Sequence, residues 1–215
     1  MSDRDKMSGK GKMSSKDKIS SKGEISGKNK ISSKEKVLNK NDNSSNDSAY
    51  ERNYKKVSRF VTENNMRLAI FKALYLYIPY LTAVIYFVVI ILSVLTADGS
   101  YVATVRIILV PMMGFLAVTI MRKFINAPRP YTLYNITPII HKSKACESFP
   151  SRHTFSITII AMAILYYNLP LGAVMLVLAV VLGITRVIAG VHFVKDVTAA
   201  WTIAVVWGIV GLWII

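Results

Sequence analysis

An uninterrupted run from Ala73 to Leu95, 23 residues without a charge, limits what this chain can become. A helix needs roughly 20 apolar residues to cross the hydrocarbon of a bilayer. Three further runs repeat the pattern. Tyr101 to Met121 is apolar but for Arg106 and Pro111, while Thr154 to Thr185 and Val197 to Ile215 carry no charge at all. The Thr154 to Thr185 run is too long for one helix and is interrupted by Asn168, Leu169 and Pro170, a turn signal that predicts a transmembrane hairpin. Arg106 stands near enough to the end of its run to snorkel toward headgroups. Lipid offers no partners to unpaired backbone groups, so such spans are helical. The expectation is an all-α, polytopic membrane bundle of about five transmembrane helices, an integral multi-pass protein of the cell membrane.

Against 53% hydrophobic residues stands a formal net charge of +15. The two are reconciled along the chain, because much of the positive charge is gathered in an N-terminal tail. From Lys6 the tail repeats every six residues as KMSGKG, KMSSKD, KISSKG, EISGKN, KISSKE and KVLNKN. One Met or Ile per unit buries too little to offset the entropy of ordering the backbone, so residues 1–50 are expected to be disordered. Lysines in this number suit a tether to anionic lipid headgroups, at about 1 kcal/mol per basic residue near the surface. The interspersed Asp and Glu weaken that field and favour a merely solvated tail. With no aromatics in the repeats and no arginine clusters, nucleic acid is not an expected partner. Residues 51–72 mix Phe, Val, Met, Leu and Ile with charges and predict an amphipathic helix lying in the membrane interface, too polar to span. Residues 73–215 form the transmembrane domain. Cys146 is alone and makes no intramolecular disulfide, and the first apolar run comes too late for a signal peptide.

Following the chain back and forth gathers its polar residues. The second span ends at Arg122, and the loop from Lys123 to Pro150 re-enters from that same face. The hairpin leaves near Ser151 and returns at Arg186, and His192 and Asp196 follow before the last span departs. Arg122, Arg129, Ser151, Arg152, His153, Arg186, His192 and Asp196 therefore share one membrane surface. Four arginines beside two histidines make a site for an anion of more than one charge. A guanidinium offers a planar fork of donors suited to phosphate oxygens, and Arg122 and Arg129 are two helical turns apart if the helix continues. Ser151, at the start of a helix, can add its hydroxyl and nearby free N–H groups. His192 and Asp196 are spaced i, i+4, so on a helix the carboxylate can reach one ring nitrogen and aim the other outward, which makes an oriented nucleophile. His153 remains as the general acid for a leaving alkoxide.

Three ordered segments carry a resemblance: RKFINAPRP (Arg122 to Pro130), PSRH (Pro150 to His153) and TRVIAGVHFVKD (Thr185 to Asp196). They resemble the motifs of the type 2 phosphatidic acid phosphatases, or PAP2 proteins, which share their site with vanadium haloperoxidases. The resemblance runs from about Arg122 to the end of the chain. It implies a phosphohistidine intermediate on His192 oriented by Asp196, His153 as acid, phosphate held by Arg122, Arg129, Ser151 and Arg186, and neither metal nor cofactor. Three positions depart from the family pattern. Arg122 stands where lysine is usual, with Lys123 adjoining; Arg152 where glycine is usual; and Thr185 where serine is usual. An arginine at 152 adds a cation that can meet a second phosphate, favouring a diphosphate lipid such as a polyprenyl diphosphate.

Bland readings stand beside these. Basic residues at helix ends often anchor to headgroups, and His141, in the loop between motifs, matches no motif position. A zinc site from His141, Cys146, His153 and His192 is disfavoured by the arginines around it, which repel a cation. The expected function is a membrane-embedded phosphatase acting on a phosphorylated lipid: phosphatidate, phosphatidylglycerol phosphate or polyprenyl diphosphate. The alternative is a non-catalytic membrane protein that binds or transports lipid or phosphate. Haloperoxidase chemistry on vanadate suits this lipid-facing chain less well, and transfer to an acceptor other than water is also open. Positive-inside counting puts the tail in the cytoplasm, and with five spans the site shares that side. The family's usual six-span arrangement faces the site outward.

Overall fold

The computed structural model describes residues 49–214 apart from 98, 100 and 143. The chain divides into two units, Met1–Ala49 and Tyr50–Ile215; of the tail expected to be disordered and to bind lipid, residues 1–48 lie outside the described residues, while Ala49 and Tyr50 are helical. Among the described residues of the second unit, all regular secondary structure is helical. Helix α1 covers 49–62. It is followed by α2 (Asn65–Leu95), α3 (Val102–Ile125), the single turn α4 (Pro130–Leu133), α5 (Arg152–Tyr167), α6 (Leu169–Ile188) and α7 (Val194–Ile209), which ends in a π-helical turn over Val210–Ile214.

Four helical stretches, Asn65–Leu95, Val102–Leu133, Leu169–Ile188 and Val194–Ile214, are long and apolar enough to cross a bilayer. Their outward faces carry large exposed side chains such as Phe87, Val84, Leu109, Val177 and Val206, the surface that a hydrocarbon solvent requires. The protein is an integral, multi-pass membrane protein. The fifth span of the sequence reading is α5, 16 residues long, or about 24 Å at 1.5 Å per residue. It can be short because it is encased. Helices α2, α3, α6 and α7 all pack on it, and Phe155, Ile159, Ala161, Ala163 and Ile164 are at most 1% exposed. Its hairpin with α6 turns on Asn168, whose side chain accepts from the Leu171 N–H at 3.0 Å. Close packing at that turn needs Gly172, where a Cβ would fall 2.1 Å from Leu165 Cα.

Two expectations change. The segment 51–72 is not one interfacial helix: α1 stops at Thr62, Asn64 caps a new helix by accepting from the Met66 and Arg67 N–H groups, and 65–72 become the first turns of α2. Asparagine is a strong N-cap because its short side chain reaches two N–H groups that the helix leaves unpaired. Helix α1 is short. At 14 residues it spans about 21 Å, and Tyr50 packs on Tyr134 and Phe193 at centroid distances of 4.6 and 5.7 Å, so it sits at the same end as the loop beneath it. Arg106, expected to snorkel, instead donates to the Tyr166 hydroxyl at 3.4 Å and the Leu212 carbonyl at 3.3 Å.

Candidate active site

Three short pieces of chain build one end of the bundle. Helix α3 ends because Asn126 takes a left-handed conformation (φ 45°), which asparagine tolerates, and because Pro128 and Pro130 bar helical geometry for the residues before them. Arg122 and Arg129 are therefore not two helical turns apart on one helix, as the spacing suggested. The loop folds back instead. The Arg129 N–H donates to the Ala145 carbonyl at 3.2 Å, Ser148 to Ala127 at 2.8 Å, Ile139 to Ala189 at 3.1 Å, and Ser151 to Asp196 at 2.9 Å. Between α6 and α7 the chain turns at Gly190 (φ 77°), where a Cβ would meet the Tyr54 hydroxyl at 2.5 Å. Only glycine fits that left-handed, crowded corner, and it places His192 two residues later.

The result is a cavity of about 230 Å³ lined by Arg122, Arg129, Arg186, His153, His192, Tyr75, Lys142, Lys144, Arg152 and Val191. Pockets that enclose a drug-sized ligand run to roughly 300–1,000 Å³, so this one suits a headgroup. Arg122, Arg129 and Arg186 are buried at 5%, 7% and 2% exposure. A buried guanidinium must be satisfied, and each uses backbone carbonyls. Arg122 donates to Glu147, Ser148 and Pro150. Arg129 donates to Cys146 at 3.2 Å and Val191 at 3.3 Å. Arg186 donates to Tyr75 at 3.4 Å, and its guanidinium lies 3.7 Å from the centre of the Tyr75 ring. The carbonyls take up some donors, and all three arginines line the cavity.

His192 is 4% exposed. Its Nδ1 stands 3.6 Å from Asp196 Oδ2 and 3.4 Å from Ser148 Oγ. Ser148 Oγ in turn donates to Asp196 Oδ2 at 2.5 Å, and the same oxygen accepts the Phe193 N–H at 2.9 Å. The carboxylate thus closes the first turn of α7 and stands behind Nδ1, which it meets through the Ser148 hydroxyl, leaving Nε2 as the free nitrogen. A carboxylate there also suits the positive end of the helix. Burial pushes the His192 imidazole down from its ordinary value, against the upward pull of Asp196. A neutral ring with one nitrogen held and one free is a nucleophile in form. Beyond Arg152 and His153, an apolar recess of about 330 Å³ runs between α2, α3 and α5, lined by Pro79, Ala83, Phe115, Ile157 and Ile160 among others.

With this geometry in view, comparison with known proteins gives a consistent reading. The family model described as the PAP2 superfamily matches residues 82–215. This chain belongs to the PAP2 superfamily. Undecaprenyl-diphosphatase BcrC of Bacillus subtilis (strain 168) is 30% identical over 81 residues, which is 38% of this chain. The match spans 42% of that relative's length. The crystal structure of Aquifex aeolicus LpxE shares the fold, with TM-score 0.57 and 24% identity over 73% of this chain and 93% of that one. The first transmembrane PAP2 type phosphatidylglycerolphosphate phosphatase from Bacillus subtilis has TM-score 0.43 and 19% identity over 76% and 92% of the two chains.

Within this PAP2 bundle most of the residues singled out from sequence come together. Arg122, Arg129, Arg152, His153, Arg186 and His192 line the cavity, with Asp196 behind His192. Two do not reach it. Lys123 is exposed, one position and so about 100° around the helix from the inward Arg122. Ser151 is fully buried and turned toward Thr154, whose hydroxyl is 2.9 Å away. His141 is exposed, and no three His, Cys, Asp or Glu side chains among the described residues gather as a metal site requires. Four cavity neighbours were missed: Tyr75, Lys142, Lys144 and Ser148.

Proposed function

We propose that this protein removes a terminal phosphate from a membrane lipid through a phosphohistidine on His192, without a resident metal. The observation that carries the reading is one cavity holding an oriented His192, a second histidine and three buried arginines. In the first step the Nε2 lone pair of His192 forms a bond to phosphorus as the bond from phosphorus to the lipid oxygen breaks. His153 gives that oxygen its proton. Asp196 and Ser148 hold the Nδ1–H and so stabilise the cation that forms on the ring. Arg122, Arg129 and Arg186 meet the charge on the phosphoryl oxygens, the electrostatic task that dominates phosphoryl transfer. In the second step water attacks phosphorus, His153 accepts its proton, the N–P bond breaks and inorganic phosphate leaves. Arginines fill the role that a metal plays elsewhere, and their charge opposes a cation.

A diphosphate lipid is the favoured substrate. Arg152, Lys142 and Lys144 are exposed and form a second cationic tier on the cavity wall, where a second phosphate would lie. The relative named undecaprenyl-diphosphatase agrees with that choice. The apolar recess beside Arg152 and His153 supports a lipid rather than a soluble ester. The test is phosphate release by detergent-purified protein from undecaprenyl diphosphate, phosphatidate and phosphatidylglycerol phosphate, with EDTA present and His192→Ala alongside. Release that survives EDTA, is fastest from the diphosphate and is lost in the variant is expected. Release abolished by EDTA, or retained by His192→Ala, overturns the mechanism. No release with lipid binding retained points to a binding protein.

A further inference from the structure

Two of the buried side-chain atoms left without a hydrogen-bond partner among the described residues are the Tyr75 hydroxyl and Arg186 Nε. Both residues line the same cavity. A buried polar group without a partner costs roughly 1–3 kcal/mol, so two in one anion-shaped pocket call for an explanation. Tyr75 sits on α2 and lies before the residues that the family model matches, 82–215.

The backbone explains how the pair is held. Pro79 lies inside α2 and has no N–H, so the carbonyl four residues back, that of Tyr75, loses its helical donor. Arg186 supplies the replacement, donating to that carbonyl at 3.4 Å. The same guanidinium stacks on the Tyr75 ring at 3.7 Å, a cation–π contact in a desolvated place. Residue 75 thus fixes Arg186 twice, by its carbonyl and by its ring face, and leaves Nε and the hydroxyl unspent.

We propose that Tyr75 is a phosphoryl-binding residue: its hydroxyl and Arg186 Nε together donate to the oxygens of the bound group, and the proline-freed carbonyl positions Arg186 to do so. This rests on the phosphate-site reading above but not on turnover. Each donor would find in the phosphoryl oxygens the acceptor that the protein withholds, which is how a pocket selects a tetrahedral anion over water.

Orthovanadate, a phosphate mimic that also accepts five-coordinate geometry, probes the site without requiring catalysis. Its affinity would be measured by calorimetry in detergent for the wild type, Tyr75→Phe and Tyr75→Leu, with melting temperature as a fold control. KM and kcat on the diphosphate lipid would be measured in parallel. Tyr75→Phe removes only the hydroxyl and is expected to weaken vanadate binding about tenfold or more, the worth of one hydrogen bond to a charged acceptor. Tyr75→Leu also removes the ring and is expected to weaken it further. Vanadate affinity in Tyr75→Phe within twofold of the wild type overturns the proposal, as does a wild type that binds no vanadate. Weakened vanadate binding in a protein that hydrolyses no lipid would uphold the Tyr75 site while removing the phosphatase reading.

Discussion

Two helices of this bundle carry a proline in their apolar interior, and the consequences differ. In α3, Pro111 frees the carbonyl of Ile107, and the Tyr86 hydroxyl from α2 donates to it at 2.6 Å. In α2, Pro79 frees the carbonyl of Tyr75, and the Arg186 guanidinium donates to it at 3.4 Å. The defect is the same in both, an unpaired carbonyl that lipid cannot satisfy. One repair uses a neutral hydroxyl and ties two helices together. The other uses a charged group that also lines the cavity. A single backbone device serves packing in one place and positions a phosphate ligand in the other.

The comparison is broken most severely at the charged repair. Arg186→Leu should lower kcat/KM by about a hundredfold to a thousandfold, the usual loss when one group opposing developing charge is removed, with phosphate release as the measure. Pro79→Ala returns an N–H to α2, competes with Arg186 for the Tyr75 carbonyl, and should raise KM about tenfold while kcat and melting temperature change little. The neutral repair should behave in the opposite way. Tyr86→Phe leaves the Ile107 carbonyl unpaired and should cost about 1–3 kcal/mol of stability, read as a lowered melting temperature in detergent with kcat/KM intact. The double variant Tyr86→Phe, Pro111→Ala should regain most of it. The smallest effect belongs to the exposed tier: Arg152→Gly should reduce diphosphate turnover about threefold to tenfold and leave monophosphate turnover unchanged, as befits one exposed charge–charge contact. Equal losses on both substrates would remove the second-phosphate role.

His192 supplies a pH test of the same architecture. Burial holds its pKa below the ordinary value of 6.5. The neutral ring is the attacking form, so the limb on which kcat/KM falls with acid should lie below that value. Asp196 pulls the pKa up, so Asp196→Asn should move this limb to still lower pH in whatever activity is left. An acid limb at or above 6.5 in the wild type would contradict the buried, neutral nucleophile.

Much of this was legible in the sequence because lipid imposes simple rules. Uncharged runs gave the spans, the break at Asn168 to Pro170 gave the hairpin, and counting crossings brought Arg122, Arg129, His153, Arg186 and His192 to one end. What escaped depends on how loops and helix faces turn. Tyr75 lies within an uncharged run, where one aromatic looks like any lipid-facing residue; its signal was Pro79 four residues later. Ser148 escaped because its partner Asp196 is 48 residues away and only the folded loop brings them together. Lys142 and Lys144 match no motif position, and only the folded loop carries them to the cavity. Lys123 was assigned by adjacency, and adjacency on a helix places neighbours on different faces; Ser151 does start α5 as expected, but its hydroxyl turns to Thr154 and not to the cavity. Asn64 is a cap signal in the sequence too, but the mixed apolar and charged pattern runs on across it and hides the break.

The central claim is a covalent bond from phosphorus to His192, and a rapid-quench experiment with lipid diphosphate labelled on its terminal phosphate tests it most directly. Label on the wild-type chain that survives alkali, is released by acid, maps to the peptide containing His192 and is absent from His192→Ala is the predicted result. Turnover by the wild type with no such label at any quench time, or with label on another residue, would contradict it.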